Sequence, residues 1–211
     1  MAMTIRLPNP ALLRAALLAG LSYWAASHIL PAGAVLAAWK GTGVGLLAVW
    51  AFVSAPTTVG RWIALVLAFG ALGDVLLETS GLTVGAVAFL IGHVLATALY
   101  WSNRRTARDG TTPAILLMLG VPLTAYAVSG SPGVLLYALA LGAMAATAWI
   151  SRFPRGWVGA GAVLFALSDL LIFARMGPLA GSVVPDVLVW PLYLAGQAMI
   201  AVGVVMSERA R

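Results

Sequence analysis

The chain has 211 residues, 62% of them hydrophobic and only 9% charged, whereas a soluble domain carries about 25% charge; a soluble fold is excluded. The net charge of +6 would suit a nucleic-acid partner in a soluble protein, but here the arginines sit in short groups between apolar runs, where they set orientation in a membrane. With no cysteine there are no disulfides or thiolate metal sites, and two histidines cannot build a three-histidine zinc centre.

A span needs about 20 apolar residues to cross about 30 Å of hydrocarbon. Breaking the sequence at its Pro, Gly and Arg punctuation predicts an all-α polytopic bundle of eight transmembrane helices in one integral membrane domain, 1–211. The first span, 11–30, follows Arg6 and Arg14. Ala32-Gly33-Ala34 after it resembles a signal-peptidase site, but cleavage there would break the charge alternation described below, so the span is expected to stay. The second, 33–54, carries Lys40 and Gly41-Thr42-Gly43-Val44-Gly45. That run is no phosphate loop, because no strand precedes it and no Gly-Lys-Ser/Thr follows. Its small residues, like Gly81 and Gly85, are expected to let helices approach closely.

The third span, 61–79, holds Asp74 and Glu78, four residues apart and so on one helical face. The fourth, 82–102, holds His93, while the fifth and sixth, 113–129 and 132–151, hold no charged residue. The seventh, 157–175, carries Ser168 and Asp169; the eighth, 186–206, carries Tyr193 and Gln197, again four apart. The short connections imply that consecutive helices are antiparallel neighbours.

Counting connections from the N-terminus, Arg6, Arg14, Arg61, Arg104, Arg105, Arg108, Arg152, Arg155, Arg209 and Arg211 all fall on one side, and only Arg175 on the other. This asymmetry predicts both termini in the cytoplasm. Trp62, Trp101, Trp149 and Trp157 lie beside those arginines, as an interfacial aromatic belt would.

An ionisable group inside a bilayer costs about 2.5–3.5 kcal/mol on insertion scales, so it normally faces the bundle interior and serves a site. At about 1.5 Å per residue, Asp74 and Asp169 lie roughly 7–10 Å below the extracytoplasmic ends of their helices. By the same measure Lys40 and Tyr193 lie about 10 Å deep, and His93 and Gln197 about 16 Å. Six side chains from five helices thus converge in the outer half of the membrane, with a mouth toward the extracytoplasmic side. Glu78 is shallow enough to be interfacial, as is His28, and Asp186 and Glu208 read as solvated ends. Lys40 is either a partner for a buried carboxylate or a cationic anchor for phosphate.

Ala71-Leu72-Gly73-Asp74-Val75-Leu76-Leu77 is echoed by Ala166-Leu167-Ser168-Asp169-Leu170-Leu171-Ile172, four helices on and running in the same direction. A 4+4 parallel pseudo-repeat would bring the two aspartates to face one another between the halves.

At Lys40, Gly73-Asp74-Val75-Leu76-Leu77, Phe89-Leu90-Ile91-Gly92-His93, the segment Gly161 to Asp169 and Tyr193-Leu194-Ala195-Gly196-Gln197, the chain resembles the YhhN-like lysoplasmalogenase family over nearly its whole length. It departs at Gly41, where the family usually has proline, and at Ala96, where it usually has tyrosine; Tyr100 lies one turn further on. The resemblance implies a bacterial inner (cytoplasmic) membrane enzyme without cofactor or metal. It would hydrolyse the vinyl-ether bond of a lysophospholipid substrate to a fatty aldehyde and a glycerophospho-base.

Such a reaction suits a carboxylic acid that protonates the enol ether and a second carboxylate that steadies the cation and activates water, roles expected of Asp74 and Asp169. Lys40, Glu78, His93, Ser168, Tyr193 and Gln197 are the expected substrate-binding set. Midplane carboxylates and repeats are equally expected of a small proton-coupled transporter, and a lipid-binding membrane protein without turnover is a third reading. Oligomeric state is open, since the Gly-rich faces serve a monomer or a dimer.

Overall fold

Polar punctuation sets the helix ends. The computed structural model describes residues 7–106 and 109–211, so Arg6 and Arg108 of the charge pattern lie outside the described residues. Its helices are α1 (Pro10–Ser27), α2 (Ala34–Ser54), α3 (Thr58–Thr79), α4 (Leu82–Ser102), α5 (Thr111–Ser129), α6 (Pro132–Ile150), α7 (Ala160–Ala174), entered through a π-helical turn at Arg155–Gly159, and α8 (Val184–Arg209). Thr57 and Ser131 cap α3 and α6 by accepting from the backbone N–H groups of Gly60 and Val134.

Gly81 precedes α4 at φ +88°, a left-handed turn that a side chain would strain. No atom lies within 4 Å of a Cβ built there. Gly81 therefore serves the turn and not the close helix approach expected of it. The expected approach is found at Gly85, whose Cβ would meet Leu77, and at Gly43, whose Cβ would lie 2.9 Å from the Gly20 Cα of α1.

Among the described residues seven helical segments, α2 to α8 with the π turn joined to α7, are long and apolar enough to cross a membrane. The protein is an integral membrane bundle of eight helices whose ends match the sequence reading to within three residues. α1 is the shorter eighth member, with Arg14 in its second turn, packed on α2 and α8.

Neighbours in sequence are neighbours in space with one exception: α4 packs on α6, and α5 lies against α6 and α7 without touching α4. The α4–α5 connection is held instead by arginines, as Arg155 binds the Asp109 carboxylate at 2.9 Å and its backbone carbonyl at 2.6 Å. The expected repeat holds in part. The α1–α2, α3–α4 and α2–α8 contacts recur as α5–α6, α7–α8 and α6–α4, but α3 packs on α8 while α7 and α4 do not meet. Among the described residues α3 and α7 share no direct packing.

The arginine-bearing connections gather at one end. Arg105 donates to the carbonyls of Ser151 and Phe153, Arg209 to Ser54, and Arg152 to Asn103, Ser207 and Glu208. Glu208, expected to be a solvated end, is instead a clamp: its side chain is only 6% exposed and also accepts from Thr57. A carboxylate pinned between a guanidinium and a hydroxyl is shielded from water by the loops it ties together.

α8 is stitched to its neighbours around a proline. Pro191 lacks the N–H that would bond Val187 four residues back, and the Val187 carbonyl accepts the Trp24 indole N–H of α1 at 3.1 Å instead. Trp190 donates to the Gly20 carbonyl at 2.7 Å. On the other side, a Cβ at Gly196 would lie 2.7 Å from the Gly161 carbonyl and one at Gly161 2.8 Å from that of Gly196, so α7 and α8 touch backbone to backbone. Gly196→Ala is expected to destabilise the protein by about 1–3 kcal/mol through overpacking, read as a lowered thermal midpoint in detergent; an unchanged midpoint would show that the contact yields freely.

Candidate functional site

The end of the bundle away from the arginine clamp opens into a cavity of about 550 Å³, within the range of small-molecule sites. α1 contributes Tyr23 and Trp24 to it, with His28 just after the helix, α2 Lys40, α3 Asp74 and Glu78, α4 Leu82 and Phe89, and α6 Tyr137. Ser168, Asp169 and Phe173 of α7 and Trp190 and Tyr193 of α8 complete the walls, with Arg175 and Asp186 beside them.

Six of the eight residues expected from sequence, and both aspartates among them, line this one space: Asp74 and Glu78 on one face of α3, Ser168 and Asp169 on α7, Lys40 and Tyr193. Asp74 is 2% exposed and Asp169 7%. Burying a carboxyl is unfavourable unless it is hydrogen-bonded, and each aspartate has a tyrosine. Tyr193 donates to Asp74 Oδ2 at 2.8 Å, and Tyr137 donates to Asp169 Oδ2 at 2.8 Å.

Each tyrosine is in turn held from behind. Gln197 Nε2 lies 3.4 Å from the Tyr193 hydroxyl, one turn along α8, and His93 Nε2 lies 2.9 Å from the Tyr137 hydroxyl. Since each hydroxyl spends its single hydrogen on a carboxylate, it accepts from the group behind, which fixes His93 as the Nε2–H form. Two parallel chains result, Gln197 to Tyr193 to Asp74 and His93 to Tyr137 to Asp169. His93 itself lies 3.9 Å from Asp169, so its reach to that carboxylate runs through Tyr137.

His93 and Gln197 therefore sit behind the main cavity. They line a second chamber of about 20 Å³ with Ala96, Tyr100 and Phe165, room for about one water. Tyr100, one turn past Ala96, is fully buried there with no protein partner for its hydroxyl.

Lys40 is bound to Glu78 at 2.6 Å, which makes the pair a neutral element of the wall. Ser168 lines the cavity, but its hydroxyl donates to the Val189 carbonyl of α8 at 2.9 Å, so it offers only lone pairs to a ligand. Among the described residues no group of three or more His, Cys, Asp or Glu side chains is placed to hold a metal ion.

Aromatic rings pack around the carboxyls edge to face: Phe89 with Tyr193 at 5.9 Å, Phe165 with Tyr193 at 5.2 Å and with His93 at 5.1 Å, and Tyr137 with Phe173 at 5.6 Å. The arrangement packs rings against a pair of carboxyls while leaving one side open to the cavity. It is able to hold a proton at an aspartate and to stabilise a transient cation by carboxylate charge and ring faces.

The residue that the sequence reading missed is Tyr137. A tyrosine in the apolar run of α6 carries no distinguishing signal, and nothing in its neighbours points across to α7.

The sequence model of the YhhN family matches residues 35–204, a stretch that contains Lys40, both aspartates, both tyrosines, His93 and Gln197. The chain is also similar to proteins named lysoplasmalogenase from Mycobacterium bovis and Mycobacterium tuberculosis, each 29% identical over 181 residues, covering 79% of this chain and 69% of the relative. No solved structure matches.

Proposed function

The chain belongs to the YhhN family, and on that footing we propose that it is a membrane-embedded hydrolase that cleaves the vinyl-ether bond of a lysoplasmalogen, releasing a fatty aldehyde and a glycerophospho-base. The relatives' printed name supports the reaction. The observation that carries it in this chain is the pair of buried carboxyls, each on its own tyrosine, in one cavity at the end of the bundle away from the arginine clamp.

Hydrolysis begins when a carboxylic acid gives its proton to the β-carbon of the enol ether. The carbon–carbon double bond supplies the electron pair, and an oxocarbenium ion forms across the former vinyl carbon and the ether oxygen. The other carboxylate stabilises this cation and takes a proton from the water that attacks it, as paired carboxylates do at glycosidic oxocarbenium centres. The resulting hemiacetal collapses to aldehyde and alcohol as its hydroxyl proton passes to the glyceryl oxygen.

Asp74 and Asp169 share these roles. Tyr193 and Tyr137 hold their carboxyls in place, Gln197 and His93 hold the tyrosines, and Lys40, Glu78 and Ser168 form the polar wall along the glycerophosphate. The test is aldehyde release from a vinyl-ether lysolipid by protein purified in detergent, beside an alkyl-ether analogue that cannot react. Turnover of the vinyl ether alone is expected. A proton-coupled carrier, which needs a sealed membrane, would release none.

The proposed orientation puts the arginine clamp in the cytoplasm and the cavity mouth on the outer face of the bacterial inner membrane. A reporter fused after Arg211 is expected to be active only in its cytoplasmic form; activity of a periplasmic reporter there would invert the assignment.

A further inference from the structure

At the mouth of the cavity stand two residues that neither the reaction nor the packing uses. Arg175, just after α7, and Asp186, in the first turn of α8, both line the cavity. They meet through a single contact, one guanidinium nitrogen to Asp186 Oδ1 at 2.8 Å, and their side chains are 45% and 63% exposed. Among the described residues Arg175 is the sole arginine at this end of the bundle, and its Nε and second terminal nitrogen, like Asp186 Oδ2, make no hydrogen bond to protein.

The arginine–carboxylate pairs at the other end of the bundle are built differently: Arg152–Glu208 is largely buried and shares both partners with Asn103, Ser207 and Thr57, and Arg155 grips both the carboxylate and the backbone carbonyl of Asp109. An acid in the first turn of α8 has a local reason, since it complements the helix dipole. That reason does not call for an arginine opposite it, nor for either side chain to border a cavity.

We propose that Arg175 and Asp186 form the head-group site of the cavity, reading a zwitterion by its two charges: the guanidinium takes a phosphate and the carboxylate takes an ammonium. An exposed pair of this kind contributes little to the fold, so it opens for a ligand at little cost. Its free N–H groups match the geometry of phosphate oxygens, for which arginine is suited to two parallel bonds. His28, Trp24 and Trp190 line the same cavity and add aromatic surface beside an alkylated ammonium.

Lys40 is the competing cation, but it is 14% exposed and closed on Glu78 further in. A single-chain lipid with a phosphate–ammonium head would thus place its charges at the mouth and its ether linkage near the aspartates. The inference rests on the cavity being the lipid site proposed above.

Binding is measured with alkyl-ether lysolipids, which cannot turn over, through the fluorescence of the protein's tryptophans in a non-ionic detergent. One lipid carries phosphocholine, the other a methyl phosphate that keeps the anion and lacks the amine. The wild-type protein is expected to favour the phosphocholine lipid by about tenfold. Asp186→Asn is expected to erase that preference, and Arg175→Gln to weaken both lipids by a similar factor.

The exchanged pair, Arg175→Asp with Asp186→Arg, keeps an ion pair and would rescue a purely structural role; it is expected not to restore the preference. A preference that survives Asp186→Asn, or that the exchanged pair restores, overturns the inference. Aldehyde release from the vinyl-ether lipid is scored separately. Preference without aldehyde leaves the head-group site standing and removes the reaction, whereas aldehyde with a preference indifferent to Asp186→Asn does the reverse.

Discussion

Asp74→Asn and Asp169→Asn are each expected to lower aldehyde release by about 10²–10⁴-fold, the usual contribution of a positioned general acid or base. Asparagine keeps the shape of the carboxyl and an oxygen to accept from Tyr193 or Tyr137, so folding and lipid binding should persist. What it removes is the proton that must reach carbon, or the base that must take one from water. The two effects should not add, because the carboxyls act on one transition state. Binding of an alkyl-ether analogue, measured beside turnover, separates lost chemistry from lost structure. Full turnover by either single variant would remove the two-carboxyl mechanism.

Tyr137→Phe is expected to lower turnover by about 10–100-fold, the cost of stripping a hydrogen bond from a buried charged group. It deprives Asp169 of its donor and leaves His93 Nε2 facing a ring in place of a hydroxyl. Because His93 acts on Asp169 through that hydroxyl, adding His93→Gln to Tyr137→Phe should reduce turnover little further, whereas His93→Gln alone should be costly. Equal and additive losses in a double-mutant cycle would show that the histidine and the tyrosine work independently. Purely structural damage would lower the thermal midpoint of the double variant below both singles and leave the turnover per folded molecule unchanged.

The contrast between Tyr137 and the aspartates shows why part of the site was legible and part was not. A carboxylate inside a bilayer is expensive, so Asp74 and Asp169 stand out from any apolar run, and helix rise alone places them at matched depth. The same reasoning brought Lys40 and Tyr193 to the cavity. His93 and Gln197, expected nearer the midplane, prove to be one layer behind it, where they orient tyrosines.

Tyrosine carries no such cost, and Tyr137 becomes significant only because α6 packs on both α4 and α7, which brings His93, Tyr137 and Asp169 into line. In that packing α5 lies against α6 and α7 without touching α4, against the expectation that consecutive helices are neighbours. Glu208 is similarly illegible: near a chain end it reads as solvated, and only the assembled loops make it the partner of Arg152 and Thr57. The weak echo around Asp74 and Asp169 picked out two helices that line one cavity, yet the two aspartates meet across that cavity and not across packed helices.

The proposed chemistry is tested most directly by running the reaction in D₂O with detergent-purified protein and a vinyl-ether lysolipid. If a carboxyl in exchange with solvent protonates the β-carbon, the aldehyde carries one deuterium on the carbon beside its carbonyl, and the substrate left unreacted carries none. An aldehyde without that deuterium, or no aldehyde at all, would contradict the assignment of Asp74 and Asp169 as the acid and base of a vinyl-ether hydrolase.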